Sequence, residues 1–186
     1  MTPLSALWLP ILLSAVFVFV ASSIIHMAPL WHKNDYPKMP REAEVMDALR
    51  PFSIPPGDYM MPRCSSGAEM KSAEFKEKMN RGPVIVATVF PDGVMSIGRN
   101  LAMWFVYLVV VELFAAYVTS RAITPDSTFR RVFRFTGAVS FIGYVLALWQ
   151  MTIWYRRALS SAIKETIDGI IYAVIAGATF AWLWPR

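Results

Sequence analysis

The stretch that decides the fold is residues 167–184, IDGIIYAVIAGATFAWLW, near the end of the chain. It has one charged residue, Asp168, and approaches the roughly 20 residues that a helix needs to cross about 30 Å of hydrocarbon. Small residues recur in it at every fourth position, at Gly169, Ala173, Gly177 and Ala181. Such a stripe lets another helix approach closely. The stretch therefore predicts a tightly packed membrane helix, with Asp168 in its first turn, where the helix dipole favours an acid.

Three other apolar runs precede this one, at residues 4–28, 101–118 and 132–154. The chain of 186 residues is 56% hydrophobic and 17% charged, whereas soluble domains average about 25% charged. Four such runs leave too little polar surface for a soluble globule. We predict an all-α membrane protein with four transmembrane helices, at residues 4–28, 101–118, 125–155 and 161–184. Since no Lys or Arg precedes the first run, we expect a helix there and not a signal peptide.

The third helix has a recognisable start and a face of small residues. Thr124 is its predicted N-cap and Pro125 its first residue, and we expect it to run to about residue 155. The small residues are Gly137, Ser140, Gly143 and Ala147. We expect them to pack on the stripe of the fourth helix. The bulky remainder, including Tyr144, is expected to face lipid, pigment or a neighbouring subunit.

A structured extramembrane loop of roughly 67 residues, within residues 29–100, connects the first two helices. Ser66 and Glu69 match a capping box at the start of its second helix. The loop is too small for a core of its own, so we expect a cap that rests on the helices. Its predicted elements are short helices at residues 40–51 and 66–82, a proline-rich extended strap at 53–62, and a small β-hairpin at 84–96 that turns at 91–93.

Aromatic, imidazole and basic side chains gather near the predicted ends of the spans. The expected interfacial anchors are His26, Trp31, His32, Trp104, Trp154, Trp182 and Trp184. The arginines expected to contact lipid headgroups are Arg130, Arg131, Arg134, Arg156 and Arg157. Lipid thus accounts for the net charge of +5 without a nucleic-acid partner. We predict a location in the bacterial inner membrane, with both termini on the cytoplasmic side.

Both histidines lie in IIHMAPLWHKNDY, residues 24–36, where the first apolar run gives way to charge. His26 and His32 are six residues apart and would not share one face of a helix. We therefore interpret them as interfacial side chains and predict no metal ligands. The alternative is a metal or haem carrier that uses both histidines.

Glu112, in YLVVVELFAAY, is an ionisable residue at membrane depth. At about 1.5 Å of rise per residue, its level corresponds to Ser14, Ser140 and Thr179 on the other helices. Charged groups at this depth are costly, so we expect a protonated carboxyl that hydrogen-bonds to these hydroxyls. The alternative is a small transporter or membrane enzyme that uses Glu112 as a proton-accepting group or is centred on Gln150, Arg156 and Asp168.

The chain shows no Walker loop, serine-hydrolase elbow or zinc-protease motif. Its single cysteine, Cys64, excludes a disulfide within the chain. The stretches IIHM with WHKNDY, PPGDY and DGIIYAVIAGATFAWLWP resemble small bacterial inner-membrane proteins with four spans and one structured loop. This resemblance implies a topology and no activity.

A chain rich in packing features and poor in reactive groups predicts a non-catalytic accessory or structural subunit of a larger bacterial membrane complex. We expect a bioenergetic complex, photosynthetic or respiratory. The expected partners are other integral membrane subunits and lipids. We expect no catalytic residues and no cofactor, although contact with bound lipid or pigment is compatible with the bulky helix faces.

Overall fold

A computed structural model describes residues 2–28 and 31–185 of the chain. In this described part, the α-helices are α1 (Trp8–Met27), α2 (Glu42–Leu49), α3 (Gly67–Lys71), α4 (Ala73–Arg81), α5 (Ile97–Ala122), α6 (Phe129–Val145), α7 (Trp149–Tyr155) and α8 (Leu159–Leu183). Strands β1 (Gly57–Met61) and β2 (Ile85–Val89) form a small antiparallel sheet. The chain divides into two compact units, one of Met1–Tyr36 with Ser96–Arg186 and the other of Pro37–Met95.

Four helical segments among the described residues are long and apolar enough to cross a membrane, and all lie in the first unit. They are Leu4–Met27, Ile97–Ala122, Phe129–Tyr155 and Leu159–Leu183. The predicted number of membrane-length helices is confirmed. The fourth segment is the most buried, with 50% of its apolar window buried compared with 28% to 33% in the others. It packs against α1 and α6, and α5 packs against the same two helices from the other side, so the four segments form a closed bundle.

The third segment begins later than its sequence predicts. The N-cap of α6 is Thr128, so the predicted start at Thr124 and Pro125 is wrong. Residues 124–127 form a turn instead, in which the Ser127 N–H donates to the Thr124 carbonyl at 3.2 Å. Proline suits the second position of a β-turn as well as the first position of a helix, and here the turn is formed.

The same segment is not a continuous α-helix. α6 ends at Val145, whose φ of −120° departs from helical values, and a 3₁₀ turn at Leu146–Leu148 precedes α7. Val145 packs there directly against Gly169 of α8. The contact is so close that a Cβ added at Gly169 would lie only 2.1 Å from Val145 Cγ2. The segment still ends at Tyr155, so the predicted end of the third helix is confirmed, whereas the 3₁₀ turn within it was not predicted. Ala147 lies in the 3₁₀ turn and is exposed, so it is outside the predicted packing face.

Small residues let α6 and α8 approach closely, although the two predicted stripes do not match throughout. Gly137 lies against α8, since a Cβ added at this glycine would be 3.3 Å from the Ala173 carbonyl oxygen. A Cβ on Gly177 would lie 2.8 Å from a backbone oxygen of α6. Gly143 instead faces Val111 on α5, so its predicted contact with α8 is wrong. The buried stripe residues of α8 are Gly169, Ala173, Gly177 and Ala181.

Gly169→Ala is expected to lower the free energy of unfolding by about 1–3 kcal/mol, because the new methyl group would overlap Val145. Gly98→Ala in α5 is the matched control, since nothing lies within 4 Å of its Cβ position and alanine is favoured in helices. Thermal unfolding of both variants in one detergent measures the difference. Equal midpoints would contradict the close contact at Gly169.

The second unit, Pro37–Met95, contains short helices near the predicted positions. α2 lies within the predicted helix at 40–51, and α3 and α4 lie within the one at 66–82. Ser72 interrupts the latter, because its side chain caps the start of α4. Ser66 accepts the Glu69 N–H at 3.1 Å and so caps α3.

The sheet pairs different segments from those predicted. Gly57 lies opposite Val89 and Met61 opposite Ile85, so β1 is the partner of β2. The predicted hairpin within residues 84–96 is wrong, and the predicted strap supplies the partner strand. The prolines of the strap lie just outside the five paired residues of β1, so they do not interrupt its hydrogen bonds.

The second unit has no hydrophobic core. No side chain of residues 37–95 is buried, and the structure describes all of them. Phe52 and Phe90 are 73% and 65% exposed. The apolar side chains of this unit therefore lack the mutual burial that stabilises an independent domain.

Candidate functional site

Polar side chains from separate parts of the first unit meet where α1 ends. His26 lies in the last turn of α1, and Asp168 lies on α8. His32 and Asp35 belong to the segment that follows α1. Because α8 begins at Leu159, Asp168 is well inside the helix. Its predicted position in the first turn is wrong, and the helix dipole does not explain it.

His32 connects two carboxylates. Its Nδ1 lies 2.7 Å from Asp35 Oδ2, and its Nε2 lies 2.7 Å from Asp168 Oδ2. A carboxylate only accepts hydrogen bonds, so when both carboxyls are ionised His32 donates from both nitrogens and carries a positive charge. The side chains of His32 and Asp168 are 11% and 4% exposed. This chain of alternating charge is therefore largely shielded from water.

Lys164 fixes the segment after α1 to α8. Its Nζ donates to Asp35 Oδ1 at 2.5 Å and also to the Trp31 carbonyl. The hydrogen bond from Lys164, assisted by the one from His32, holds the pKa of the Asp35 carboxyl below its usual range, although burial opposes the shift. Asp35 is therefore ionised at neutral pH. Trp31, a predicted interfacial anchor, contributes its backbone to this contact.

The two histidine rings are stacked, with centroids 4.5 Å apart and planes 8° apart. His26 Nδ1 lies 2.9 Å from the Ser22 carbonyl oxygen, so this nitrogen donates and Nε2 remains available. We expect from the spacing of six residues that the side chains of His26 and His32 lie apart, and this expectation is wrong. His32 lies beyond the end of α1, so helical periodicity does not fix its position.

Three potential metal ligands converge at this point. One ligand atom each from His26, His32 and Asp168 lie within 4.8 Å of one another. Two imidazoles with one carboxylate form a donor set used for Zn²⁺ and non-haem Fe²⁺. Both Nδ1 atoms contact acceptors, the Ser22 carbonyl and Asp35, as is usual for metal-bound histidines. Asp168 Oδ1 is buried and has no partner among the described residues.

A cavity of about 370 Å³ adjoins this cluster. Its apolar lining includes Met27, Leu101, Trp104, Tyr144 and Leu148. The polar residues that line it are Ser22, Ser23, His26, Glu165, Asp168 and Tyr172, and Glu165 is paired with Arg157. The Tyr172 hydroxyl is buried, and the described part of the chain offers it no hydrogen-bond partner. Apolar walls with a few unsatisfied polar atoms are typical of a ligand-binding cavity.

Glu112 lies within α5 with its side chain fully buried. The Tyr144 hydroxyl donates to Glu112 Oε1 at 2.7 Å, and the Ser140 hydroxyl donates to Oε2 at 3.3 Å. Ser14 also faces this carboxyl, while its own proton is donated to a carbonyl of α1. Thr179 donates to a carbonyl of α8 instead. The structure thus brings Ser14 and Ser140 to Glu112 and shows no contact from Thr179.

Tyr144 is placed differently from its prediction. Its sequence position predicts an outer face, and this prediction is wrong, because Tyr144 is 6% exposed and donates to Glu112. It also lines the cavity. Ser140 and Tyr144 are one helical turn apart, so the face that carries Ser140 could have indicated Tyr144. Tyr144 therefore connects the cavity with the buried carboxyl.

The predicted interfacial side chains differ in their exposure. Trp154 and Trp182 are exposed. Trp104 donates to the Ser22 hydroxyl at 3.0 Å, and Trp184 is buried and donates to the Thr124 carbonyl at 3.2 Å. Arg157 pairs with Glu165 at 2.6 Å. The exposed arginines of this set are Arg130, Arg131, Arg134 and Arg156.

Three residues of the site were missed by the sequence reasoning: Asp35, Lys164 and Tyr172. A signal for two of them was present, because Lys164, Asp168 and Tyr172 are spaced four residues apart and share one face of α8. A polar face on an otherwise apolar helix indicates that the face makes a polar contact. It does not indicate which segment of the chain supplies the partner.

Comparisons of this chain with protein-family models, curated proteins and solved structures give no match. The geometry of the site therefore carries the functional conclusion.

Proposed function

We propose that this chain is a multi-pass protein of the bacterial inner membrane that binds one divalent transition-metal ion through His26, His32 and Asp168. Four apolar helices of sufficient length support the membrane location. The convergence of the two imidazoles and the carboxylate supports the metal, and the proposal depends on this observation. The ion would lie at the end of α1, beside the apolar cavity.

The metal ion would replace a proton on His32. Without metal, His32 needs protons on both nitrogens to bond to Asp35 and Asp168. With metal, Nε2 must be deprotonated to coordinate, while Asp35 retains the Nδ1 proton and orients the ring. Metal binding is therefore expected to release a proton and to weaken as the pH falls.

A single ion fits these histidines better than haem does. The axial imidazoles of a haem approach the iron edge-on from opposite sides, whereas the rings of His26 and His32 are stacked face to face. One ligand nitrogen of each ring already lies within 4.8 Å of the other and of an Asp168 oxygen, which suits coordination of one ion. Zn²⁺ and Fe²⁺ suit two nitrogens and one oxygen, and three protein ligands leave a coordination position open.

Metal titration of detergent-purified protein, carrying an affinity tag without histidine, tests the proposal. We expect about one Zn²⁺ or Fe²⁺ per chain, and a loss of about 100-fold in affinity for His26→Ala. His26 is exposed and outside the Asp35–His32–Asp168 chain, so this variant should remain folded. Asp126→Asn, at an exposed position before α6, is the control. Unchanged affinity in both His26→Ala and Asp168→Asn would overturn the proposal.

An accessory role in a larger membrane complex is a second candidate, and the second unit favours it. Residues 37–95 bury no side chain, so their exposed aromatic residues suit contact with a partner. A bioenergetic complex, photosynthetic or respiratory, stays a prediction. Gentle extraction followed by native mass spectrometry tests this role. Detection of the 21.0 kDa chain alone would contradict it.

A further inference from the structure

We infer that the cavity beside the metal ligands binds a lipid-soluble molecule with an apolar body and an oxygen head, the shared chemistry of a quinone and a fatty acid. The inference rests on the proposed metal site, because the head is placed against the ion. It extends that proposal from the metal to the chemical class of the second ligand.

The size and walls of the cavity fit an apolar body. Its volume of about 370 Å³ lies within the range of small-molecule sites, roughly 300–1,000 Å³. Leu101 and Trp104 line it from α5, Met27 from α1, and Leu148 from the turn after α6. Burial of hydrocarbon against such side chains is favourable because it removes apolar surface from water. A lipid-soluble ligand therefore matches these walls better than a polar one.

The unsatisfied polar atoms select the head group. Asp168 Oδ1 and the Tyr172 hydroxyl are both buried, and the described residues provide neither with a partner. A bound ion would satisfy Asp168, which leaves the Tyr172 hydroxyl as a donor for the second ligand. A carbonyl or carboxylate oxygen can accept from this hydroxyl and also occupy the open position of the ion. An ammonium head can do neither, and the ion would repel it.

Equilibrium binding of a tritiated quinone and, in a separate arm, tritiated oleic acid to the Zn²⁺-loaded protein tests the inference. Leu148→Trp would fill the cavity and is expected to weaken binding about tenfold or more. Leu113→Trp, on an exposed face of α5, is the matched control. Leu101→Trp is a second cavity variant, in case Leu148→Trp does not fold. Tyr172→Phe is expected to weaken binding about fivefold, through loss of one hydrogen bond.

Failure of this inference is distinguishable from failure of the metal proposal, because Zn²⁺ is titrated in the same preparations. Normal Zn²⁺ binding without saturable binding of either lipid would overturn the inference alone. Equal lipid binding by the folded cavity variants and the control would overturn it as well. If dodecylamine binds more tightly than both probes, the inference that the ligand has an oxygen head is wrong. If His26→Ala leaves lipid binding unchanged, the inferred contact between the oxygen head and the metal ion is wrong. The arm with the tighter binding identifies the source of the oxygen head.

Discussion

Replacing Glu112 with Leu is expected to lower the free energy of unfolding by about 2–4 kcal/mol, whereas Glu112→Gln should lower it by less than about 1 kcal/mol. Leucine has no acceptor, so the Tyr144 hydroxyl would remain buried without a partner. Glutamine retains a carbonyl oxygen for Tyr144, and its amide can donate to Ser14. Ser140 is less affected, because a serine hydroxyl can turn back to a carbonyl of its own helix.

Thermal unfolding in one detergent compares these variants, with Leu113→Ala on the exposed neighbouring position as control. Tyr144→Phe combined with Glu112→Leu is expected to regain part of the lost stability, because no hydroxyl is then left unpaired. The transporter or enzyme alternative predicts a different result for Glu112→Gln. A normally folded variant that no longer supports proton movement seen for the parent protein in vesicles would contradict the packing interpretation.

The four membrane-length helices could be predicted because crossing hydrocarbon imposes a length and a composition that local details do not override. The start of the third helix and the 3₁₀ turn within it could not. Pro125 fits a turn and a helix start equally well. No proline marks the break after Val145. That break accompanies the contact between Val145 and Gly169, which belongs to the packing of two distant segments and leaves no trace in periodicity.

The candidate site was only partly predictable for a similar reason. The spacing of Lys164, Asp168 and Tyr172 defines one polar face of α8, which the sequence contains. His32 and Asp35 contact that face because of the path that the chain takes after α1. This segment is not helical, so helical periodicity cannot predict its path. The sheet is a comparable case. The sequence of β2 predicts a strand, but its partner β1 lies in a proline-rich segment whose sequence does not predict a strand.

His32→Ala is expected to be the most destabilising substitution in the candidate site, lowering the free energy of unfolding of the metal-free protein by about 3–5 kcal/mol. His32 supplies the positive charge between Asp35 and Asp168. Asp35 would keep Lys164 as a partner. Asp168, only 4% exposed, would lose the cation that faces it. A buried carboxylate without a counter-charge costs more than an intact pair contributes, so this loss dominates.

A second substitution should then restore stability. His32→Ala with Asp168→Asn is expected to be about 1–3 kcal/mol more stable than His32→Ala alone, because the neutral amide needs no cation. His26→Ala is the matched control, since this exposed ring stacks on His32 and should cost less than about 1 kcal/mol. Unfolding in the presence of a chelator compares the variants with the parent protein. If the double variant is no more stable than His32→Ala, Asp168 is not held as an ion by His32, and the proton that the metal is proposed to replace is not there.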